Sequence, residues 1–172
     1  MLQVIIKNET YPTKKDLENL INYTVGNHCI CGLFGATGMM LSHPYNIYQS
    51  MLQLKNEFCK NSGRQALHLI VSIDKTDSLW VTPQIALELG YALATSQYLS
   101  GTQTLFGVHD NTDKIHLHIV INSVRYDSGL KVSLSIQTAY YHISKFLNNK
   151  LSTYRQMYDP TWTPLTIEEL TT

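Results

Sequence analysis

"GVHDNTDKIHLHIVINSV", residues 107–124, places three histidines within ten positions, two of them separated by a single leucine. From Ile115 to Asn122 the odd positions are all apolar (Ile115, Leu117, Ile119, Ile121), while the even positions read His116, His118, Val120, Asn122. A period of two is that of a β-strand, with one apolar face buried and His116 and His118 side by side on the other. Residues i and i+2 on a strand lie roughly 6.5–7 Å apart. Two imidazoles can close that gap onto one cation at about 2.1 Å per nitrogen bond. The intervening "DNTDK" is turn chemistry, so "TQTLFGVH", residues 102–109, folds back alongside as a hairpin partner. Ordinary hairpin pairing sets His109 opposite His116 and Gly107 opposite His118. A third imidazole then reaches the same exposed sheet face, with room above His118 for a phosphate. A lone strand histidine is usually packing; HxH on one face with a third histidine at the facing strand end reads as a site for one divalent cation.

That turn is too short for a parallel crossover, so the sheet is at least partly antiparallel. Working outward, "LQVIIK" reads as a first strand and "TKKDLENLINYTV" as a helix with the stripe Leu17, Leu20, Ile21 and Thr24, ended by Gly26. "GNHCICGLFGATGMMLSHP" holds four glycines and no sustained period and is expected to be a loop or short hairpin. Its "HCIC" lacks a fourth ligand at recognisable spacing, so it reads as a small loop with buried thiols rather than a second metal site. "PYNIYQSMLQLKNEF" is a helix begun by Pro44. "QALHLIVSI" is a strand with His68, Ile70 and Ser72 on one face, and "TPQIALELGYALATSQYL" is a helix opened by Thr82 and Pro83. "SIQTAYYHISKFLNNKL" is a last helix with Ile136, Tyr140, Ile143 and Leu147 on one side. The class is α+β: a central, largely antiparallel sheet flanked by helices.

The chain has 172 residues and three cysteines in no repeated spacing, which points to one domain in a reducing compartment. No apolar run approaches the length of a membrane span. Thirteen basic residues balance thirteen acidic ones, which argues against a grip on nucleic acid through bulk charge. Distribution softens that objection, because Asp159, Glu168 and Glu169 lie in the tail and the first 158 residues carry 13 basic against 10 acidic. Lys7, Lys14 and Lys15 cluster near the start, and Lys55, Lys60 and Arg64 close a helix; each cluster also fits a solvated face. The domain spans residues 1–150. Residues 151–172 form a tail in which Thr166 and Glu169 make a capping box, as though a helix led into a further domain.

"HDNTDKIHLHIVIN" resembles the metal-binding motif of the plasmid relaxases, the mobilization nucleases of the HUH endonuclease superfamily. His109, His116 and His118 fall on its three metal-binding positions. "LENLINYTVGN" looks like the family's first motif, which maps the tyrosine nucleophile onto Tyr23, and "HLIVSI" looks like the second, which maps a DNA-contacting serine onto Ser72. Where the family carries an Asp, this chain has Asn111, with Asp110 and Asp113 beside it; Asn111, Asp113 and Asn122 are expected to support the site, and Lys14 and Lys15 to bind DNA. The resemblance implies nicking of single-stranded DNA at an origin of transfer, a 5′-phosphotyrosyl adduct and a free 3′-OH. It also implies a bacterial cytoplasm, accessory nicking-complex proteins and a type IV coupling protein.

The residue types suit that chemistry. A tyrosine's ordinary pKa near 10 makes its phenolate cost about 4 kcal/mol at pH 7, which a nearby divalent ion can offset. Mn or Mg comes first as cofactor; imidazole ligation also suits Zn, Co or Ni. At 100° per residue Tyr23 sits on the border of its helix's polar face, beside a Gly-rich stretch expected to be mobile. Rolling-circle initiators and transposases share HxH but carry a downstream tyrosine, for which Tyr141 with Lys145 is the candidate. A three-histidine zinc hydrolase with no covalent step and an inactive DNA-binding domain complete the alternatives.

Overall fold

In the computed structural model, which describes residues 2–74, 76, 77, 80–159 and 161, strands and helices interleave along the chain. In order they are β1 (Leu2–Ile6), α1 (Lys14–Val25), β2 (Cys29–Thr37), α2 (Pro44–Glu57), β3 (Ala66–Ile73), α3 (Pro83–Ala94), β4 (Thr102–His109), β5 (His116–Arg125) and α4 (Ser144–Tyr158), the last entered through a π-helical turn over Thr138–Ile143. The strands form one sheet in the order β1-β3-β5-β4-β2, antiparallel at every junction. The α+β class follows directly, and the histidine strand β5 lies at the centre of the sheet.

Alternation on β5 divides the molecule into two layers. Leu117, Ile119 and Ile121 face α3 and α4, where Leu69, Val71, Phe106, Val108, Leu89, Leu93, Ile143 and Leu147 join them in one buried cluster. Val120 faces the other way, into a smaller cluster with Leu105, Ala66, Leu17 and Ile21 of α1 and Ile47 and Met51 of α2. Each fully buried side chain of this kind contributes roughly 1.5–3 kcal/mol, so both layers hold the sheet, but only the one under α1 and α2 also buries histidines.

Local chemistry sets the helix ends. Thr13 and Asp16 form a reciprocal capping box at the start of α1, and the buried stripe Leu17, Leu20, Ile21, Thr24 is the one its spacing predicts. Thr82 caps α3, with Pro83 in the first turn. That helix ends at Ala94, short of Leu99, where the hydroxyls of Thr95 and Ser96 donate to the carbonyls of Tyr91 (2.8 Å) and Leu93 (2.7 Å).

Three expectations are corrected. The Gly-rich stretch after Gly26 is not simply a loop or short hairpin: Cys29–Thr37 within it is β2, paired with β4 at the sheet edge. Its Gly35 serves close packing, since a Cβ there would stand 2.6 Å from the Phe106 ring. The last helix does not bury Ile136 and Tyr140, which are exposed; Ala139 is buried with Ile143, Leu147 and Leu151. The π-helical turn takes one residue more per hydrogen-bonded ring and rotates the stripe. Lys55 is not part of a solvated face but fully buried, while Arg64 donates to the Val132 carbonyl at 2.7 Å. The boundary expected at residue 150 falls inside α4, which continues to Tyr158. The capping box of Thr166 and Glu169 lies outside the described residues. Among the described residues no helix is long and apolar enough to cross a membrane.

Candidate metal centre and active-site cavity

The β4–β5 hairpin pairs His109 with His116 and Gly107 with His118, as its turn length requires. On the other side of β5, Ser72 pairs with His116 and Ile70 with His118. One ligand atom from each of His109, His116 and His118 lies within 4.8 Å of the others. All three rings are buried, at 0%, 8% and 4% exposure, so the expected exposed sheet face is in fact covered. The last turn of α1 covers it. A Cβ on Gly107 would come 2.1 Å from the Thr24 carbonyl oxygen, so backbone fills the space expected to receive a phosphate.

Each imidazole is anchored through one nitrogen. His109 Nε2–H donates to the Thr24 carbonyl at 2.9 Å, His116 Nδ1–H donates to the Lys114 carbonyl at 3.0 Å, and His118 Nδ1 meets His68 Nε2 at 2.8 Å. The second nitrogens of two rings, His109 Nδ1 and His118 Nε2, are buried with no hydrogen-bond partner. Orphaned buried nitrogens cost about 1–3 kcal/mol each, and a cation between them removes that cost. Burial first, then the neighbouring histidines, pushes His118 down to about 2 and His109 below its ordinary value. Both rings are thus neutral at pH 7, the form that binds metal. These residues therefore fit one divalent ion held by three nitrogens.

Tyr23, at the C-terminal end of α1, lies over this cluster. Its ring centroid is 4.9 Å from that of His118, 5.4 Å from His109 and 5.8 Å from His28. No swing of a mobile segment is needed to bring it there. A cavity of about 610 Å³ opens beside it, floored by Ile5, His68, Ile70 and Ser72 and walled by Asp16, Asn19 and Leu20 of α1. Lys7, Asn111, Thr112 and Lys114 also line it, with His116 and His118 at one end.

The sheet thus gathers Tyr23, Ser72 and Asn111 around the three histidines. It does not gather the rest. Lys14 and Lys15 are exposed at the far end of α1, with Lys15 paired to Glu18 at 3.0 Å; the cavity's lysines are Lys7 and Lys114. Asp113 is exposed and not part of the cavity lining. Asn122 is fully buried and joins sheet to α2 by donating to the Met51 carbonyl (3.0 Å) and Gln103 Oε1 (2.8 Å). Tyr141, 60% exposed, belongs to the helical layer on the opposite face of the sheet, where Lys145 Nζ lies 5.9 Å from its ring. In "HCIC", Cys31 is exposed and only Cys29 is partly buried. Sequence reasoning missed Glu9, Tyr11, Asn19 and Lys114, and it left His68 between groove and core. The shared face of His68 and Ser72 was visible; the β3–β5 pairing that brings it to His118 was not.

The family model for the MobA/VirD2-like relaxase nuclease domain matches residues 23–155. That is well over half of the sequence, and the chain belongs to this family. Among solved structures it is similar to the MobM relaxase domain (MOBV; Mob_Pre) bound to 26-nucleotide pMV158 oriT DNA. The two share 13% identity over 98% of each chain, with a TM-score of 0.51, a likeness of fold. A structure described as the molecular basis of vancomycin resistance transfer in Staphylococcus aureus matches at 10% identity over 95% of this chain and 94% of its own, with a TM-score of 0.43. No curated protein matches.

Proposed function

We propose that this domain is a metal-dependent DNA-nicking relaxase in which Tyr23 is the nucleophile. The observation that carries the reading is the Tyr23 ring 4.9 Å from His118, over a cluster with two unpartnered buried nitrogens. Tyr23 Oη attacks the scissile phosphorus, the Oη–P bond forms and the P–O3′ bond breaks. The products are a 5′-phosphotyrosyl strand and a free 3′-OH. The phenolic proton leaves to His28, the neighbouring imidazole outside the three-histidine cluster, with its ring centroid 5.8 Å from that of Tyr23, and the departing 3′ oxygen takes a proton from water. A divalent ion held by His109, His116 and His118 would stabilise charge on the phosphate oxygens, with Mn or Mg first among candidates and Zn, Co and Ni compatible. The bond energy is kept in the phosphodiester, so the reverse reaction reseals DNA without ATP.

The cavity supports single-stranded DNA as substrate. It offers apolar walls from Ile5, Ile70 and Leu20, polar groups from Ser72 and Asn19, and positive charge from Lys7 and Lys114. By analogy with the oriT-bound neighbour, the site of action is an origin of transfer on a mobile element in a bacterial cytoplasm. Accessory nicking proteins and a type IV coupling protein are the partners that role requires.

Incubation with an origin-of-transfer oligonucleotide and Mn²⁺, with EDTA as control, should trap a covalent adduct on denaturing gels. Tyr23→Phe should abolish the adduct by a factor of at least ~10³ while Mn²⁺ and DNA binding persist. Tyr141→Phe should leave it intact. An adduct that survives Tyr23→Phe and vanishes in Tyr141→Phe would establish the replication-initiator alternative. Metal-dependent hydrolysis with no adduct would establish the zinc hydrolase, and binding with neither product an inactive DNA-binding domain.

A further inference from the structure

We infer that His68 is a positioning residue for His118, and that a directed chain through His68 and Tyr11 to Glu9 takes the place of the carboxylate that commonly backs a metal-ligating histidine. The inference rests on the metal-centre reading above. It concerns residues that the three-histidine cluster does not include and that come from a different strand and the loop after β1.

The argument is one of proton bookkeeping. For His118 to offer Nε2 to a cation, its proton must sit on Nδ1 and must be received by an acceptor. Nδ1 lies 2.8 Å from His68 Nε2. Accepting there makes Nδ1 the protonated nitrogen of His68, and that atom lies 2.8 Å from the Tyr11 hydroxyl. Tyr11 accepts from His68 and donates its own proton to the Glu9 carboxylate. An ionised carboxylate only accepts, so the chain ends with every link satisfied and one direction throughout. Reversing the first link puts the His118 proton on Nε2, the orphaned atom that faces the cluster.

The surroundings hold the chain in place. His68 is 4% exposed on β3, and both of its ring nitrogens are engaged, Nε2 at His118 and Nδ1 at Tyr11. Burial, then the bond to Glu9, raises the Tyr11 phenol, which keeps its proton. Tyr11 adopts φ +41, a region non-glycine residues seldom enter, and its carbonyl is held by the Gln65 N–H at 2.9 Å. Asn111, at the cavity rim where the resemblance leads one to expect an Asp, is neutral; Glu9 supplies negative charge from the opposite side through two intermediaries.

The test has two arms. Long-range ¹H–¹⁵N correlation spectra of the metal-free protein should show both His118 and His68 as Nδ1–H tautomers. In His68→Leu, the His118 ring should lose that single tautomer. Calorimetric titration with Mn²⁺ should show His68→Leu binding about 10–100-fold more weakly than the unsubstituted protein. His68→Gln, whose amide oxygen can accept from His118 Nδ1, should recover most of the loss. Tyr11→Phe keeps the ring and removes the link to Glu9, so it should give a smaller loss and serves if His68→Leu fails to fold. An Nε2–H tautomer of His118 in a protein that binds Mn²⁺ overturns the relay and leaves the metal site standing. Equal Mn²⁺ affinity in folded His68→Leu, or no recovery in His68→Gln, overturns it as well. Correct tautomers with no affinity for Mn²⁺ or Zn²⁺ bring down the metal reading, and the positioning role with it.

Discussion

The two faces of the sheet are made by the same strands and answer to opposite demands. Toward α3 and α4, alternate residues of β3, β4 and β5 are mostly hydrocarbon, among them Val71, Val108, Leu117 and Ile119, each at most 1% exposed. Toward α1 and α2, the intervening residues include three clustered histidines and a fourth that bonds one of them, and α2 adds a buried lysine, Lys55. The difference teaches how the site is kept stiff. His116 and His118 bracket Leu117, which is locked in the closed layer, so the ligands inherit the rigidity of a core they do not enter. Polar burial is tolerated on one face because the other supplies the stability.

Lys55 offers the largest test of that asymmetry. Its ammonium nitrogen is buried with no hydrogen-bond partner, and desolvation, followed by the charges of Lys131 and Lys14, pulls its pKa down to about 7 from 10.5. Below pH 7 both folded and unfolded chains carry the proton, and the folded state bears the full desolvation cost. Between 7 and 10.5 the unfolded chain binds more protons, so stability rises with pH by about 1.4 kcal/mol per unit. Lys55→Met should remove this slope and stabilise the protein at pH 7 by up to about 4 kcal/mol. Urea unfolding between pH 7 and 9, below most tyrosine ionisation, measures both. An unchanged slope in Lys55→Met would show that the open face carries no such penalty.

Legibility in the sequence followed the same division. Period-two alternation on β5 and the turn after His109 sufficed for the β4–β5 register and the histidine cluster, because a hairpin of that length admits few pairings. Long-range pairings were another matter. Nothing local tells that β3 lies between β1 and β5, so the meeting of His68 with His118 and the distant burial of Asn122 were not readable. Glycine misled by its usual meaning. In β2, Gly35 marks a close approach to Phe106 rather than a turn, and Gly107 marks the passage of the α1 backbone. Charge singles out Lys14 and Lys15 in the sequence, but the α1 residues that helix geometry points into the cavity are Asp16, Asn19, Leu20 and Tyr23.

Two glycines, one in each layer, sharpen the comparison at intermediate size. Alanine at Gly107 would set its Cβ 2.1 Å from the Thr24 backbone oxygen, and alanine at Gly90 would set one 2.6 Å from the Phe106 ring. Each substitution should cost roughly 1–3 kcal/mol of stability by overpacking. Only Gly107→Ala displaces the turn that carries Tyr23, and a shift near 1 Å can cost on the order of 100-fold in rate. Nicking by Gly107→Ala should therefore fall far more than nicking by Gly90→Ala at matched fraction folded. Equal losses would mean that the position of α1 over the histidines is not what sets the rate.

The smallest expected effect lies at neighbouring residues that point in opposite directions. Ser72 faces the cavity and pairs with His116 across β3–β5, while Val71 faces the closed layer and pairs with Leu117. If Ser72 contacts DNA without taking part in the chemistry, Ser72→Ala removes one hydrogen bond, worth about 1 kcal/mol, which is about fivefold in Kd. Stability and the yield of covalent adduct at saturating oligonucleotide should not change. Val71→Ala should do the reverse, lowering the unfolding midpoint and leaving Kd alone. Fluorescence anisotropy with a labelled oligonucleotide, run beside thermal unfolding, separates the two. Loss of cleavage with unchanged binding in Ser72→Ala would move that hydroxyl from the DNA contact into the reaction itself. Since Ser72 sits opposite His116, such a result would also place the reacting phosphate nearer β3 than the position of Tyr23 implies.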